Sequence, residues 1–172
     1  MNRNQELLFQ AAQVLKTTPG ELAGRAEQQM QEMKQLRSAL EKFKAQASLG
    51  EATQFLMAAK ELGGLKGLTA NRSGLDANEM RRMGDFLRDK EPGVVGVLAS
   101  VNGEKVSLLA VCGKEAVAKG IKAGDIIKAI APIVGGRGGG KPDSAMGGGT
   151  ELLKIDDALA AVDDFVAGKL GL

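Results

Sequence analysis

The sequence predicts an α+β (α/β-like) protein: an N-terminal helical hairpin or coiled-coil arm, then a small mixed β-sheet domain covered by helices. Three observations predict it. Residues 19–48 carry apolar side chains at alternating spacings of four and three, the pattern of a long amphipathic helix. Residues 94–101 and 105–112 are apolar runs separated by Asn102-Gly103, a strong short-range hairpin signal. Helical periodicity precedes that hairpin at 76–90 and follows it at 123–134 and 152–169, so helices and strands are interspersed. The expected division is 1–50 for the arm and 51–172 for the globular part.

In chain order, residues 4–16 place Leu7, Leu8, Ala11, Ala12 and Leu15 on one helical stripe. Thr18 and Glu21 have capping-box spacing around Pro19, predicting a fresh helix start. The long helix that follows has a seam of Leu22, Ala26, Gln29, Met33, Leu36, Leu40, Phe43 and Ala47. Leu22, Ala26, Met33, Leu36, Leu40 and Phe43 are the candidate dimer contacts, and Gln29 is a polar residue able to set register. The same stripe could instead pack on helix 4–16 or on the globular part. Gly50 is expected to close this helix, residues 53–59 to form a strand, and Gly63, Gly64, Gly67 and Gly74 to mark a loop. Asp76 and Glu79 form a second capping box, with Leu75 and Met80 placed for a hydrophobic staple. Pro92-Gly93 ends that helix. The two strands of the Asn-Gly hairpin are apolar on both faces, as in the covered middle of a sheet. The helix at 123–134 stops at Gly135, and Asp156 and Asp157 sit near the start of the last helix, where acids suit the helix dipole.

Composition removes several kinds of chemistry. The 172-residue chain has no His, Trp or Tyr, five Phe and one Cys. Lack of His excludes Ser-His-Asp and Cys-His catalysis and every metal site that needs imidazole. Cys112 ends an apolar run and reads as a small buried hydrophobe with no base to activate it. A single Cys makes no internal disulfide and suggests a reducing, cytoplasmic setting. The polar N-terminus predicts no signal peptide, and no stretch is long and apolar enough to predict a membrane span. No catalytic set, metal site or cofactor is expected.

The run at 135–149 holds eight glycines in fifteen residues, together with Arg137, Lys141 and Pro142. Read locally it is a loop whose bare amides can face an anion, with two cations to attract it. It is not a Walker A loop, because Lys141 is followed by Pro142. It is not a Rossmann fingerprint either, because it follows a helix. A linker or a packing turn is the competing reading. The net charge is +2, but residues 104–141 carry seven Lys or Arg against three acids, and 142–172 carry six acids against two Lys. That asymmetry suits a confined polyanion site. With almost no aromatic material for base stacking, contact with nucleic acid would run through phosphates or the shape of a folded RNA.

The order of helical arm, compact domain and KAGDIIKAIAPIVGGRGGGKPDSAMGGG resembles the C-terminal region of alanyl-tRNA synthetases. Its compact part looks like the DHH-associated domain, whose hallmark is a glycine run, a basic residue, a proline and a second glycine cluster. Those are Gly135, Gly136, Gly138, Gly139, Gly140, Lys141, Pro142, Gly147, Gly148 and Gly149. The resemblance is specific at 122–149 and extends in order and spacing over about 50–170. It departs at Ser144-Ala145-Met146, where the family often has a Met-Ala-Gln-like segment.

This resemblance implies a module that binds the outer corner of tRNA and helps bring aminoacylation and editing onto one tRNA. In some members the helical part dimerises. It also implies catalytic and editing domains upstream of this segment, as further partners. The phosphate contacts expected are Arg137, Gly138, Gly139, Gly140, Lys141 and Pro142, with Lys114, Lys119 and Lys122 on the adjoining basic segment. The alternative is a purely structural interaction module with no significant RNA affinity. A hydrolase of small nucleic acids would need an Asp-His-His core that the chain lacks.

Overall fold

The computed structural model describes residues 2–172. It divides into two compact units, Met1–Lys44 and Ala45–Leu172.

The first unit holds α1 (Arg3–Val14) and most of α2 (Leu22–Met57). Asn2 and Gln5 cap α1 reciprocally, side chain to backbone, at 2.9 and 3.1 Å. The box expected at Thr18 does not form. Residues Pro19–Glu21 make a short 3-10 turn, and the Thr18 hydroxyl donates to the Glu21 carboxylate instead of the side chains capping backbone amides. Arg25 Nε donates to the Leu15 carbonyl, which ties the start of α2 to the end of α1. Along the seam Leu22 and Ala26 are half-buried. Met33, Leu36, Leu40 and Phe43 are 53, 71, 54 and 71% exposed.

The second unit corrects several expectations. Gly50 does not end α2, which continues through the predicted strand at 53–59 as far as Met57. The reason is packing: Ala52, Phe55, Leu56 and Ala59 recur at helical spacing and join one apolar cluster. Glu51, on the same stretch, pairs with Arg72 just past β2.

The expected glycine loop is a hairpin, β1 (Lys60–Leu62) and β2 (Leu65–Asn71). Its two-residue turn is Gly63-Gly64, both at positive φ (57° and 85°), as a type I′ turn requires. The Asp76–Glu79 capping box opens α3 (Ala77–Lys90), and Leu75 and Met80 share its apolar cluster. Strands β3 (Val94–Asn102) and β4 (Lys105–Cys112) form as expected. Their turn is one residue further on, at Gly103-Glu104, because Asn102 pairs with Lys105 and gives its side-chain amide to the Leu75 carbonyl.

A short helix that the sequence reading lacked, α4 (Lys114–Ala118), precedes α5 (Ala123–Ile130). Pro132 turns residues Ala131–Val134 into a 3-10 segment. The last helix, α6 (Ile155–Leu170), starts after another 3-10 turn, with Asp156 and Asp157 in its first turn. Asp163 of α6 pairs with Lys60 of β1 at 3.2 Å.

The largest correction concerns 135–149. It is not a loop but an antiparallel hairpin, β5 (Arg137–Gly140) and β6 (Ser144–Gly149). The six strands order β1-β2-β3-β4-β6-β5, with β2–β3 parallel and every other pair antiparallel. Alternate residues of β3 and β4 feed two cores. Val95, Val97, Leu108 and Ala110 pack with α5 and α6. Leu98, Leu109 and Val111 pack with α3 and the last turns of α2.

Candidate nucleic-acid interface

The β5–β6 hairpin stands at one edge of the sheet. The Lys141 amide donates to the Ser144 carbonyl at 3.0 Å, closing the turn. In an antiparallel ladder hydrogen-bonded pairs alternate, so Arg137 and Gly139 also turn their amides toward β6, while Gly138 and Gly140 turn theirs away from it, that of Gly140 on the side where Gly124 of α5 approaches. The expectation of a fully bare amide loop is therefore cut back: two of the three consecutive glycines turn their amides away from β6, and only that of Gly138 is clear of Gly124. Gly138 and Gly140 are exposed, as are Arg137, Lys141 and Pro142.

The turn is pinned from three directions. Ala123 at the start of α5 donates to the Pro142 carbonyl at 2.8 Å, and Cys112 at the end of β4 donates to the Asp143 carbonyl at 3.0 Å. Arg88 of α3 bonds the Asp143 carboxylate at 2.7 Å.

Packing explains most of the glycines. A Cβ on Gly138 would lie 2.5 Å from Ile127 Cγ2 of α5, and one on Gly149 2.0 Å from the Val134 carbonyl oxygen. Gly124 of α5 meets Gly140 at the same close range, its Cβ position 2.8 Å from the Gly140 oxygen. Gly139 differs, because the nearest atom to its Cβ position is Lys128 Cε at 3.8 Å.

The predicted cations separate into groups. Arg137 and Lys141 flank the exposed strand with no acidic partner among the described residues. Lys122 is the N-cap residue of α5, next to the amide that bonds Pro142, so it joins them. Lys114 lines a cavity that Asp143 also borders. Lys119 is elsewhere: its ammonium donates to the Gly63 carbonyl in the β1–β2 turn, at 2.9 Å.

Sequence reading missed Lys128, whose stem lies against Gly139, and Arg88, which reaches the turn across 55 residues. For Lys128 the signal was present, four residues after Gly124 on one helix face. For Arg88 no local signal exists. Among the described residues, no His, Cys, Asp and Glu group could hold a metal ion, and no helix is long and apolar enough to cross a membrane.

The chain is similar to known proteins over most of its length. The chain is 39% identical over 170 residues to the alanine–tRNA ligase of Methylobacillus flagellatus, covering 99% of this chain and 19% of that one. It is 36% identical over 171 residues to the alanine–tRNA ligase of Saccharophagus degradans, with the same coverage. The chain thus spans about a fifth of the length of the relatives it matches. Among solved structures, the C-Ala domain of Aquifex aeolicus alanyl-tRNA synthetase superposes with a TM-score of 0.60 at 25% identity, over 64% of this chain and 98% of that one. Residues 57–168, from the end of α2 into α6, match the DHHA1 domain, and the chain belongs to that family.

Proposed function

We propose that this chain is the RNA-holding module of an alanine–tRNA ligase, gripping backbone phosphates at the outer corner of a folded tRNA. One observation carries the reading. An exposed edge strand, with the amide of Gly138 turned away from β6, is flanked by Arg137 and Lys141, cations with no acidic partner among the described residues. Lys122 and Lys128 widen the basic rim. In this reading the ligase chemistry lies in other parts of the parent, whose aminoacylation and editing domains are partners along with tRNA. The setting is cytoplasmic.

The test is a filter-binding titration with folded and unfolded alanine tRNA at two salt concentrations. Folded tRNA is expected to bind more tightly, with affinity falling steeply as salt rises. Equal affinity for both forms, or binding unchanged in an Arg137→Ala/Lys141→Ala variant, would overturn it.

A second reading concerns the arm. Met33, Leu36, Leu40 and Phe43 form an exposed apolar stripe at heptad spacing, which favours self-association through α2. It is compatible with RNA binding, or would replace it if sedimentation gave a dimer and no RNA-dependent shift.

A further inference from the structure

Beside the hairpin turn lies a cavity of about 500 Å³ whose chemistry differs from that of the open edge. Arg88 and Asp143 form one wall, Val117 and Pro92 an apolar one, and Cys112 lines the inner side. Lys114 and Asp89 are exposed, and neither has a charged partner among the described residues. The volume is in the range of small-ligand sites.

Arg88 is held in an unusual way. Its two terminal nitrogens are taken by Asp85 and Asp143, which fixes the guanidinium plane. Its Nε is buried with no acceptor, the one such side-chain atom among the described residues. The chain has no Trp or Tyr, so a fixed guanidinium is the flat cationic surface it can offer to a base. Burial, and then the nearby Asp143, push the Cys112 thiol up to about 12, so the inner wall adds no negative charge at neutral pH.

We propose that this cavity takes one unpaired nucleotide, with its base against Arg88 and Val117, its phosphate at Lys114 and an exocyclic amine offered to Asp89. The source of that nucleotide, a residue of the bound RNA, rests on the function proposed for the hairpin; the cavity's chemistry does not. A carboxylate acceptor favours cytosine, adenine and guanine, which carry an amine, over uracil.

The test uses the full chain, ¹⁵N-labelled, titrated with CMP, AMP, GMP, UMP and ribose 5-phosphate. CMP and AMP are expected to shift the amides of Gly113, Lys114 and Val117, with UMP about tenfold weaker, the scale of one good base contact. Asp89→Asn should abolish the preference, and Lys114→Ala should weaken all nucleotides; both sites are exposed, so folding is retained. Tight tRNA binding by wild type, with no nucleotide shifts at the cavity and unchanged tRNA affinity in both variants, overturns the pocket and leaves the hairpin reading standing. Cavity shifts without any tRNA binding overturn the RNA source and leave a free-nucleotide site. Ribose 5-phosphate matching CMP overturns the base contact.

Discussion

Arg88 and Asp143 meet at 2.7 Å, joining the covering helix α3 to the tip of the glycine hairpin. Their side chains are 24 and 51% exposed, so the pair is worth little as a stability term. Its effect is local: it sets where the turn at 141–144 points. Asp143→Asn is expected to cost no more than about 1 kcal/mol in urea unfolding. Hydrogen exchange at the Lys141 amide should meanwhile speed up clearly. Unchanged protection there would show that the turn does not depend on this bond.

Backbone contact between α5 and β5 makes a sharper stability prediction. Gly124→Ala must push its methyl toward the Gly140 carbonyl, and overpacking of that kind costs about 1–3 kcal/mol. Gly139→Ala meets only the stem of Lys128, so its effect should stay within about 0.5 kcal/mol. Denaturant midpoints of the two variants check the contrast, and equal destabilisation would refute it.

For RNA, removing one cation that pairs with a phosphate should reduce the salt dependence by about one unit of slope. Arg137→Ala/Lys141→Ala is therefore expected to flatten the plot of log affinity against log salt by about two units. Lys119→Ala serves as the comparison, because its ammonium is occupied at Gly63, and it should leave the slope as it is.

On the arm, Leu36→Asp/Phe43→Asp places two charges on the exposed stripe. If α2 associates with a second copy, sedimentation velocity should show the variant as monomer at concentrations where wild type is dimer. Circular dichroism should show helix content retained, because both side chains are already 71% exposed.

Cys112 gives a pH prediction. Its thiol is raised from an ordinary value near 9 to about 12, chiefly by burial. The folded state holds that proton more tightly, so above about pH 9 the unfolded chain binds fewer protons and gains. The thiol's contribution is complete below about pH 9 and disappears as pH rises toward 12. Unfolding midpoints should fall over that window, and Cys112→Ala should make the fall shallower.

Local signals in the sequence carried the fold where a motif acts on its own neighbours. Asp76 and Glu79 cap α3 because both bonds lie within four residues. The β3–β4 hairpin follows from two apolar runs and a short turn, although the turn moved by one residue because Asn102 serves Leu75. Non-local causes were illegible. Residues 53–57 are helical because Ala52, Phe55 and Leu56 find a sheet to cover, and the residues of that sheet come later in the chain. Glycine carries no strand preference, so β5 and β6 looked like a loop; their pairing with each other and with β4 supplies the order. At the candidate site, Arg137, Gly138, Gly140, Lys141, Pro142 and Lys122 cluster as their proximity in sequence suggested. Lys119 left the group because it anchors a turn in the β1–β2 hairpin.

Three consecutive hydrogens stand where β5 would otherwise display side chains. A molecule lying along that strand touches main chain and nothing that a point mutation could tailor, except by adding bulk. If RNA lies there as proposed, recognition on the strand is indifferent to the identity of what it holds. In that reading, discrimination between one nucleic acid and another is delegated to the neighbouring cations and hollows, where substitutions can be tuned without disturbing the rail itself.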